Sequence, residues 1–506
     1  MSGEREKGLY MLGIDQSTQG TKALIFDREG KLLARSDIPH GQIVNGKGWV
    51  EHNLMEIYYN TIQAVRDVVQ KAGIPREAVA AVGISNQRET AAAWDRTTGE
   101  PVCNAVVWQC ARGEEICKRL EKAGAEKLVK ERTGLRLSPY FSAAKWSWIM
   151  ENVPEARERA ERGELCCGTI DAWLVYRLTG GREFRTDYSN ASRTQLFNIL
   201  TLQWDEELCR LFHVPPQCLP KVTDSNGFFG ETDFDGFFEQ SVPILGVLGD
   251  SHGALFGHGC HEKGMIKATY GTGSSVMMNI GDSPVMSPDV VTSLGWGIEG
   301  QVVYVLEGNI NYTGAVITWL KDSLGLIASP WETEFLAREA NQEDKTYLVP
   351  AFTGLGAPYW NTEARASILG MSRTTGKNEI VKAALECIAY QITDLIQIME
   401  EVSGIQESEL WVDGGPTKNE YLMQFQSDVL GIPVKVPDAE ELSGIGAAYM
   451  AGIQAGIYDR ETIFGNRLVS FFKPGRKPEE MADRYMGWKE AVENTLASVE
   501  PKASQK

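Results

Sequence analysis

Long apolar runs are missing from this 506-residue chain: stretches such as residues 78–84 and 303–306 fall far short of the roughly 20 residues a membrane-spanning helix needs. Positive charge is scarce too. Fifty Lys and Arg stand against 68 Asp and Glu, a formal net charge of −18, which is the wrong sign for binding nucleic acid or an anionic membrane surface. Cysteine is sparse and unpatterned. Nine residues, at 103, 110, 117, 166, 167, 209, 218, 260 and 387, are odd in number, and the adjacent pair is no C-x-x-C clamp, so free thiols in a reducing compartment are expected. The opening MSGEREKGLY has mixed charge and no basic segment ahead of an apolar core, so a cytoplasmic protein is expected. The phosphate loop G-x-x-x-x-G-K-[ST] is absent as well: residues 370–378, GMSRTTGKN, carry one residue too many and end in Asn, which sets a P-loop fold aside.

What remains is 43% hydrophobic and 23% charged, the composition of an ordinary globular protein. The length fits two sizeable domains or three small ones. Residues 9–27 read as strand, polar Gly/Ser/Thr turn, strand, and REGKLLARSDI continues as a third strand. Asn53-Leu-Met-Glu56 reads as a capping box. Met55, Tyr58, Ile62, Val65 and Val69 then share one helical face until Gly73. A strand, AAVGIS, follows at 80–85.

The same vocabulary recurs in the second half. Residues 265–281 read as strand, Gly/Thr/Ser turn, strand. A long helix near 379–402 carries Val381, Leu385, Ile388, Ile392, Leu395 and Met399 on one stripe, then come the strand ELWVDGG and a helix through residues 419–430. The reading is an α/β protein made by internal duplication, two similar domains of residues 1–257 and 258–506 with their Gly/Thr turns facing one cleft. The last residues, about 490–506, are polar and are expected to fray.

Both turns, Asp15-Gln-Ser-Thr-Gln-Gly-Thr-Lys22 and Tyr270-Gly-Thr-Gly-Ser-Ser275, offer main-chain N–H groups and small hydroxyls to phosphate oxygens. An unliganded hairpin turn would look the same. The apolar strand SVPILGVLGD ends in Asp250, where a carboxylate can take a proton, help hold Mg²⁺ or merely cap the next helix. His252, His258, Cys260 and His261 follow, in a spacing that matches no strong zinc motif. Arg88 and Glu89 lie just after AAVGIS; they suit a polyol, whose hydroxyls both donate and accept, or form a surface ion pair. Trp108 and Tyr140 can wall a carbon chain or pack a core.

Taken together, the runs GWVEHNLMEI, NQRET, AVVWQC, RTGLRLSPYFS, ERGEL, TDYSNASRTQLFNI, VPAFTGLGAPYW and LMQFQSDVLG resemble the FGGY carbohydrate kinases, in particular their glycerol-phosphorylating branch, over about residues 8–490. The resemblance implies two duplicated ribonuclease H-like, actin-like ATPase domains around a nucleotide cleft. It implies Mg²⁺ and ATP as cofactors and phosphorylation of a terminal hydroxyl. Thr18, Lys22 and Thr272 would then meet the phosphates, and Gly314, Thr318, Gly415 and Asn419 would line the nucleotide pocket. Asp15 would support Mg²⁺ through water, together with Asp250, the general base. Arg88, Glu89, Trp108, Tyr140, Asp250, Ser251 and Ser275 would form the acceptor site.

This chain departs from that branch at four places. It reads G-D-S-H-G-A-L-F-G where G-D-Q-Q-A-A-L-F-G is usual, so Ser251 and His252 replace two Gln. Ser275 replaces an aromatic residue and Lys22 an Arg. The stretch ETDFDGFFEQSVP lacks the Gly/Arg loop and the His tied to regulation. Glycerol is the leading acceptor. A longer alditol or sugar (erythritol, xylitol or xylulose) is the second reading, and a non-catalytic actin-like nucleotide switch the third. The partners expected are a small-molecule polyol, no nucleic acid and no membrane, with a homo-oligomer left open.

Overall fold

The computed structural model describes residues 9–498. The chain opens with Tyr10–Gln16 (β1), Gly20–Phe26 (β2) and Leu32–Pro39 (β3), an antiparallel meander. Helix α1, Leu54–Ala72, then returns the chain to Val79–Asn86 (β4), parallel to β1. Glu231–Thr232 (β5) and Val242–Gly249 (β6) complete a six-stranded mixed sheet in the order β5-β6-β4-β1-β2-β3. In β1, Met11, Leu12 and Ile14 have no exposure at all, as a strand covered on both faces requires.

The second sheet repeats the plan. Ile266–Tyr270 (β7) and Ser274–Gly281 (β8) form a hairpin, and Val291–Ile298 (β9) and Gln301–Ile310 (β10) extend it antiparallel. Beyond them lie helices α3, Gly314–Asp322, α4, Glu332–Glu339, and α5, Lys377–Ser403. Then come Leu410–Asp413 (β11), helix α6, Glu420–Leu430, Val434–Pro437 (β12) and Val469–Phe472 (β13). Their order is β9-β10-β8-β7-β11-β12-β13, with β7, β11 and β12 parallel. All six apolar residues assigned to the α5 stripe are buried.

Two short helices lock the halves together: α2, Asp250–His258, which follows β6, and α7, Leu442–Gln454, which follows β12. They touch backbone to backbone. A Cβ on Gly446 would sit 1.9 Å from the carbonyl oxygen of Gly253, and one on Gly83 would sit 2.1 Å from that of Ala447. Only glycine permits these approaches. Helix α7 thus packs on β4 of the first sheet although it belongs to the far end of the chain, and α2 and α7 form the joint around which the cleft is built.

Two expectations need correcting. Asn53 caps α1, accepting from the amides of Met55 and Glu56, but Glu56 does not close a capping box: its carboxylate accepts from the amide of Gly41 at 3.1 Å. The approaching β3–α1 connection supplied a better donor than the helix's own first amide. The tail is also more ordered than its polarity suggests. Helix α8, Pro478–Ala497, runs through it because Trp488, Ala491 and Val492 are buried; residues 499–506 lie outside the described part of the chain.

Candidate active site

The two sheets direct the C-terminal ends of their central parallel strands at one cleft, the place where open α/β sheets bind ligands. Asp15 sits near the end of β1, Arg88 and Glu89 just past β4, and Asp250 just past β6. Asp250 is the first residue of α2 and does not cap it in the Asn53 manner: its carboxylate lies 3.1 Å from Nε of Arg88. That ion pair is not aligned as a hydrogen bond, which leaves the buried Nε–H without a hydrogen-bond partner.

Arg88 and Glu89 do not pair on the surface; both are buried. Glu89 adopts φ 60°, a left-handed conformation uncommon outside glycine and typical of functional turns. The two side chains take different partners. Arg88 donates through both terminal nitrogens to Glu307, at 2.9 Å each, and through Nη2 to Ser251 Oγ at 3.2 Å. Glu89 accepts from Nε of Arg193 at 2.6 Å, and Arg193 also reaches Glu307 at 2.8 Å. Burial alone would raise the Glu307 carboxyl, but the Arg193 and Arg88 guanidiniums outweigh it and hold the group well below the carboxylate range. Burial holds Glu89 above its ordinary value, against the pull of the same two arginines.

Glu307 and Arg193 were not singled out from the sequence. The available signal was Glu307 itself, the one charge in the otherwise uncharged strand QVVYVLEGNI. Lys145 was missed for the opposite reason, since nothing about a helix lysine marks it as buried. It donates to the carbonyls of Pro139, Tyr140 and Phe141 and fixes the segment that carries Tyr140; burial pushes it down to about 7.

Trp108 and Tyr140 meet edge to face, with ring centroids 5.4 Å apart. The Trp108 indole N–H donates to Thr18 Oγ1 at 2.9 Å, so the aromatic wall is tied directly to the first Gly/Thr turn. Across the cleft, the β7–β8 turn holds Thr272 exposed. Its main-chain oxygen accepts from the amides of Thr313 and Ala315 at 3.0 Å each, at the start of α3. Ser275 follows on β8, with a buried hydroxyl that has no protein partner.

Gly314, Thr318, Gly415 and Asn419 converge as expected. They line one cavity of about 240 Å³ with the apolar side chains of Ile317, Trp331, Leu385 and Leu422. Lys22 points elsewhere in part: its ammonium lies 2.7 Å from Glu441 and 3.9 Å from Asp15. The histidines that follow Asp250 separate. His252 contacts Ser293 at 3.3 Å, His258 faces Asp413 at 3.6 Å, and His261 meets the Phe256 carbonyl at 3.2 Å.

The donor set suits Mg²⁺ with a nucleotide. Among the described residues no group of three or more acidic, His or Cys side chains forms a metal cage. Mg²⁺ characteristically takes one or two carboxylates plus phosphate oxygens and water. Burial, opposed by Lys22 and reinforced by the Glu441 and Asp250 carboxylates, lifts Asp15 to about 6. A cation would relieve that cost.

Comparison with known proteins identifies the family of this fold. Residues 10–257 match the N-terminal domain and residues 266–455 the C-terminal domain of the FGGY family of carbohydrate kinases. Glycerol kinase 1 of Thermotoga maritima is 46% identical over 493 residues, covering 96% of this chain and 100% of that protein. A glycerol kinase of Listeria monocytogenes is 44% identical over 491 residues, covering 96% and 99%. The crystal structure of Plasmodium falciparum glycerol kinase with ADP superposes with a TM-score of 0.92 at 33% identity, over 97% of this chain and 99% of that one. Fold and site thus define a two-domain kinase built on the actin-like ATPase plan, a phosphotransferase with an alcohol acceptor. The chain belongs to the FGGY family of carbohydrate kinases.

Proposed function

We infer that this protein transfers the terminal phosphoryl group of ATP to a terminal hydroxyl of glycerol, giving glycerol 3-phosphate, and that it works in the cytoplasm. One observation carries the reading: Asp250 stands at a strand end against Arg88, which reaches Glu307 of the second sheet. Residues 1–257 supply the acceptor site and residues 258–506 the nucleotide pocket.

In this reading Arg88 donates to the acceptor's hydroxyls through its free Nε–H, and Glu89 accepts from them. Trp108 and Tyr140 cover the carbon chain. Asp250 takes the proton of the attacking hydroxyl, which frees an oxygen lone pair for the phosphorus. Thr18 and Thr272 approach the phosphates from the two sides. Gly314, Thr318, Gly415 and Asn419 surround the rest of the nucleotide, while Lys22 adds positive charge at the first turn. Asp15 and Asp250 are the residues that would hold Mg²⁺, whose chemistry is to neutralise phosphate charge. Phosphoryl transfer asks little covalent work of a protein, so alignment and charge supply most of the acceleration.

The test is ADP release by the purified protein with Mg-ATP, with and without glycerol, against Asp250→Asn. Acceptor-dependent release that the substitution abolishes is the expected result. Equal release without acceptor would sink the assignment.

A further inference from the structure

One carboxylate of the second half serves two cations of the first. Glu441 immediately precedes α7, and only 7% of its side chain is exposed. Lys22 of β2 donates to its Oε2 at 2.7 Å, and Arg35 of β3 meets its Oε1. The two cations are held differently. Arg35 is fixed a second time by Asp37, which accepts from its Nε at 2.7 Å and from its Nη2 at 2.8 Å. Lys22 has a second carboxylate only at 3.9 Å, that of Asp15, and its side chain is 29% exposed. A lysine is moreover a point charge on a flexible four-carbon stem, so Lys22 can swing without unpacking a core.

The shared carboxylate borders the nucleotide side of the cleft. Arg35 and Glu441 line a cavity of about 750 Å³ together with Asp413, Gly415, Thr417 and Lys418, and Gly415 also lines the apolar cavity beside it. Lys22 stands just past the first Gly/Thr turn and is the register partner of Asp15 across the β1–β2 hairpin. A phosphate arriving at that turn competes with Glu441 for one ammonium. Removing the counter-ion of a buried carboxylate is strongly destabilising, because it leaves an uncompensated charge. Here that loss is covered in advance, since Arg35 remains on Glu441 when Lys22 leaves.

We propose that Glu441 and Arg35 form an exchange latch for Lys22: the carboxylate holds the ammonium until a nucleotide phosphate takes it, and Arg35 then neutralises the carboxylate alone. The proposal rests on the reading that Lys22 serves the phosphates. Glu441 is a positioning residue that acts through Lys22, and Arg35 acts through Glu441. Nucleotide binding releases the tie between β2 and the start of α7 and keeps the one from β3, so the signal reaches the helix on which the joint is built. The two residues have opposite effects. Neutralising the carboxylate frees Lys22 and favours nucleotide, whereas removing Arg35 leaves Glu441 with one close cation and makes Lys22 harder to withdraw.

The experiment is calorimetric titration of the full chain with a non-hydrolysable ATP analogue and Mg²⁺. Glu441→Gln should lower the dissociation constant by about threefold or more and Arg35→Gln should raise it by about as much, the scale of a partly exposed ion pair. In a Lys22→Met background the Glu441→Gln shift should shrink to less than about twofold, because its route through the ammonium is gone. Shifts of the same sign in the two single variants would overturn the latch. So would a Glu441→Gln shift that keeps its full size without Lys22, since a general field at the phosphates needs no lysine. If Glu441→Gln fails to fold, Arg35→Gln with and without Lys22 makes the same comparison. Lys22→Met alone should weaken the analogue by about threefold or more, the loss of a charge-assisted contact; an unchanged constant would overturn the phosphate role of Lys22 itself, whereas the outcomes above would overturn only the latch.

Discussion

The two halves share a meander, a returning helix and parallel strands, yet they are put to different use. In the first half the connection between β4 and β6 is long, running from Gln87 to Ser241, and carries Trp108, Tyr140 and Arg193. It encloses a buried, charged network. In the second half the corresponding connection from β11 to β12 is little more than α6. Elaboration falls instead between β10 and β11, where α3, α4 and α5 enclose an apolar cavity. A buried network of charges suits a small polyhydroxy ligand, because each hydroxyl can be paired; a mostly apolar cavity suits the flat face of a base. The duplicated core fixes where strand ends point, and the insertions decide what is read there.

If labour is divided in this way, the halves can be disabled separately. The largest effect is expected at Glu307, whose carboxylate lies within 2.9 Å of both Arg88 and Arg193. Glu307→Gln removes the negative charge that two buried guanidiniums share, leaving Arg88 with Asp250 and Arg193 with Glu89, and should cost up to about 3–5 kcal/mol of stability, read as a lower urea midpoint. Asp250→Asn should keep ADP binding but lower kcat at least about a hundredfold, the usual worth of a positioned base; near-normal turnover would remove Asp250 from the chemistry.

Gly415→Val should do the reverse. A Cβ there meets nothing within 4 Å, so the fold tolerates it while the cavity narrows. The KM for ATP should rise about tenfold or more with the KM for glycerol within a factor of two. A matching rise in both would break the division.

Asp15 gives a pH test. Its carboxyl is held at about 6 against an ordinary 3.8, so the folded protein binds this proton more tightly than the unfolded chain does. The stability it contributes is complete below 3.8 and is lost as pH rises through about 6. Mg²⁺ needs the ionised form, so the half-saturating Mg²⁺ concentration should fall as pH rises through that value and level off above it. Asp15→Asn should flatten the dependence. The smallest change expected is in shape: nucleotide plus glycerol should close the cleft about the α2–α7 joint, seen as a reduced radius of gyration in small-angle scattering.

Local chemistry was legible where periodicity and turn residues act over a few positions. The meander, α1, the α5 stripe and both Gly/Thr turns are readable because alternation, 3.6-residue spacing and glycine conformations are properties of neighbouring residues. So is the strand-end position of Asp250, and the convergence of Gly314, Thr318, Gly415 and Asn419 agrees with what the resemblance implied. The partner of each charge was not legible. Glu56 faces Gly41, Arg88 faces Glu307 across 219 positions, and Lys22 faces Glu441 across 419.

The sequence by itself therefore determined the α/β class, the duplication and the strand ends that carry carboxylates and Gly/Thr turns, because these follow from short-range sterics and patterning. Only the tertiary structure decided which charges neutralise one another. The depth at which a carboxylate is buried, and which guanidinium reaches it, depend on the crossing of α2 and α7 at Gly253 and Gly446, where a single Cβ would sit 1.9 Å from a carbonyl oxygen. That contact brings the two sheets within side-chain reach of each other, and with them Arg88 of the first and Glu307 of the second.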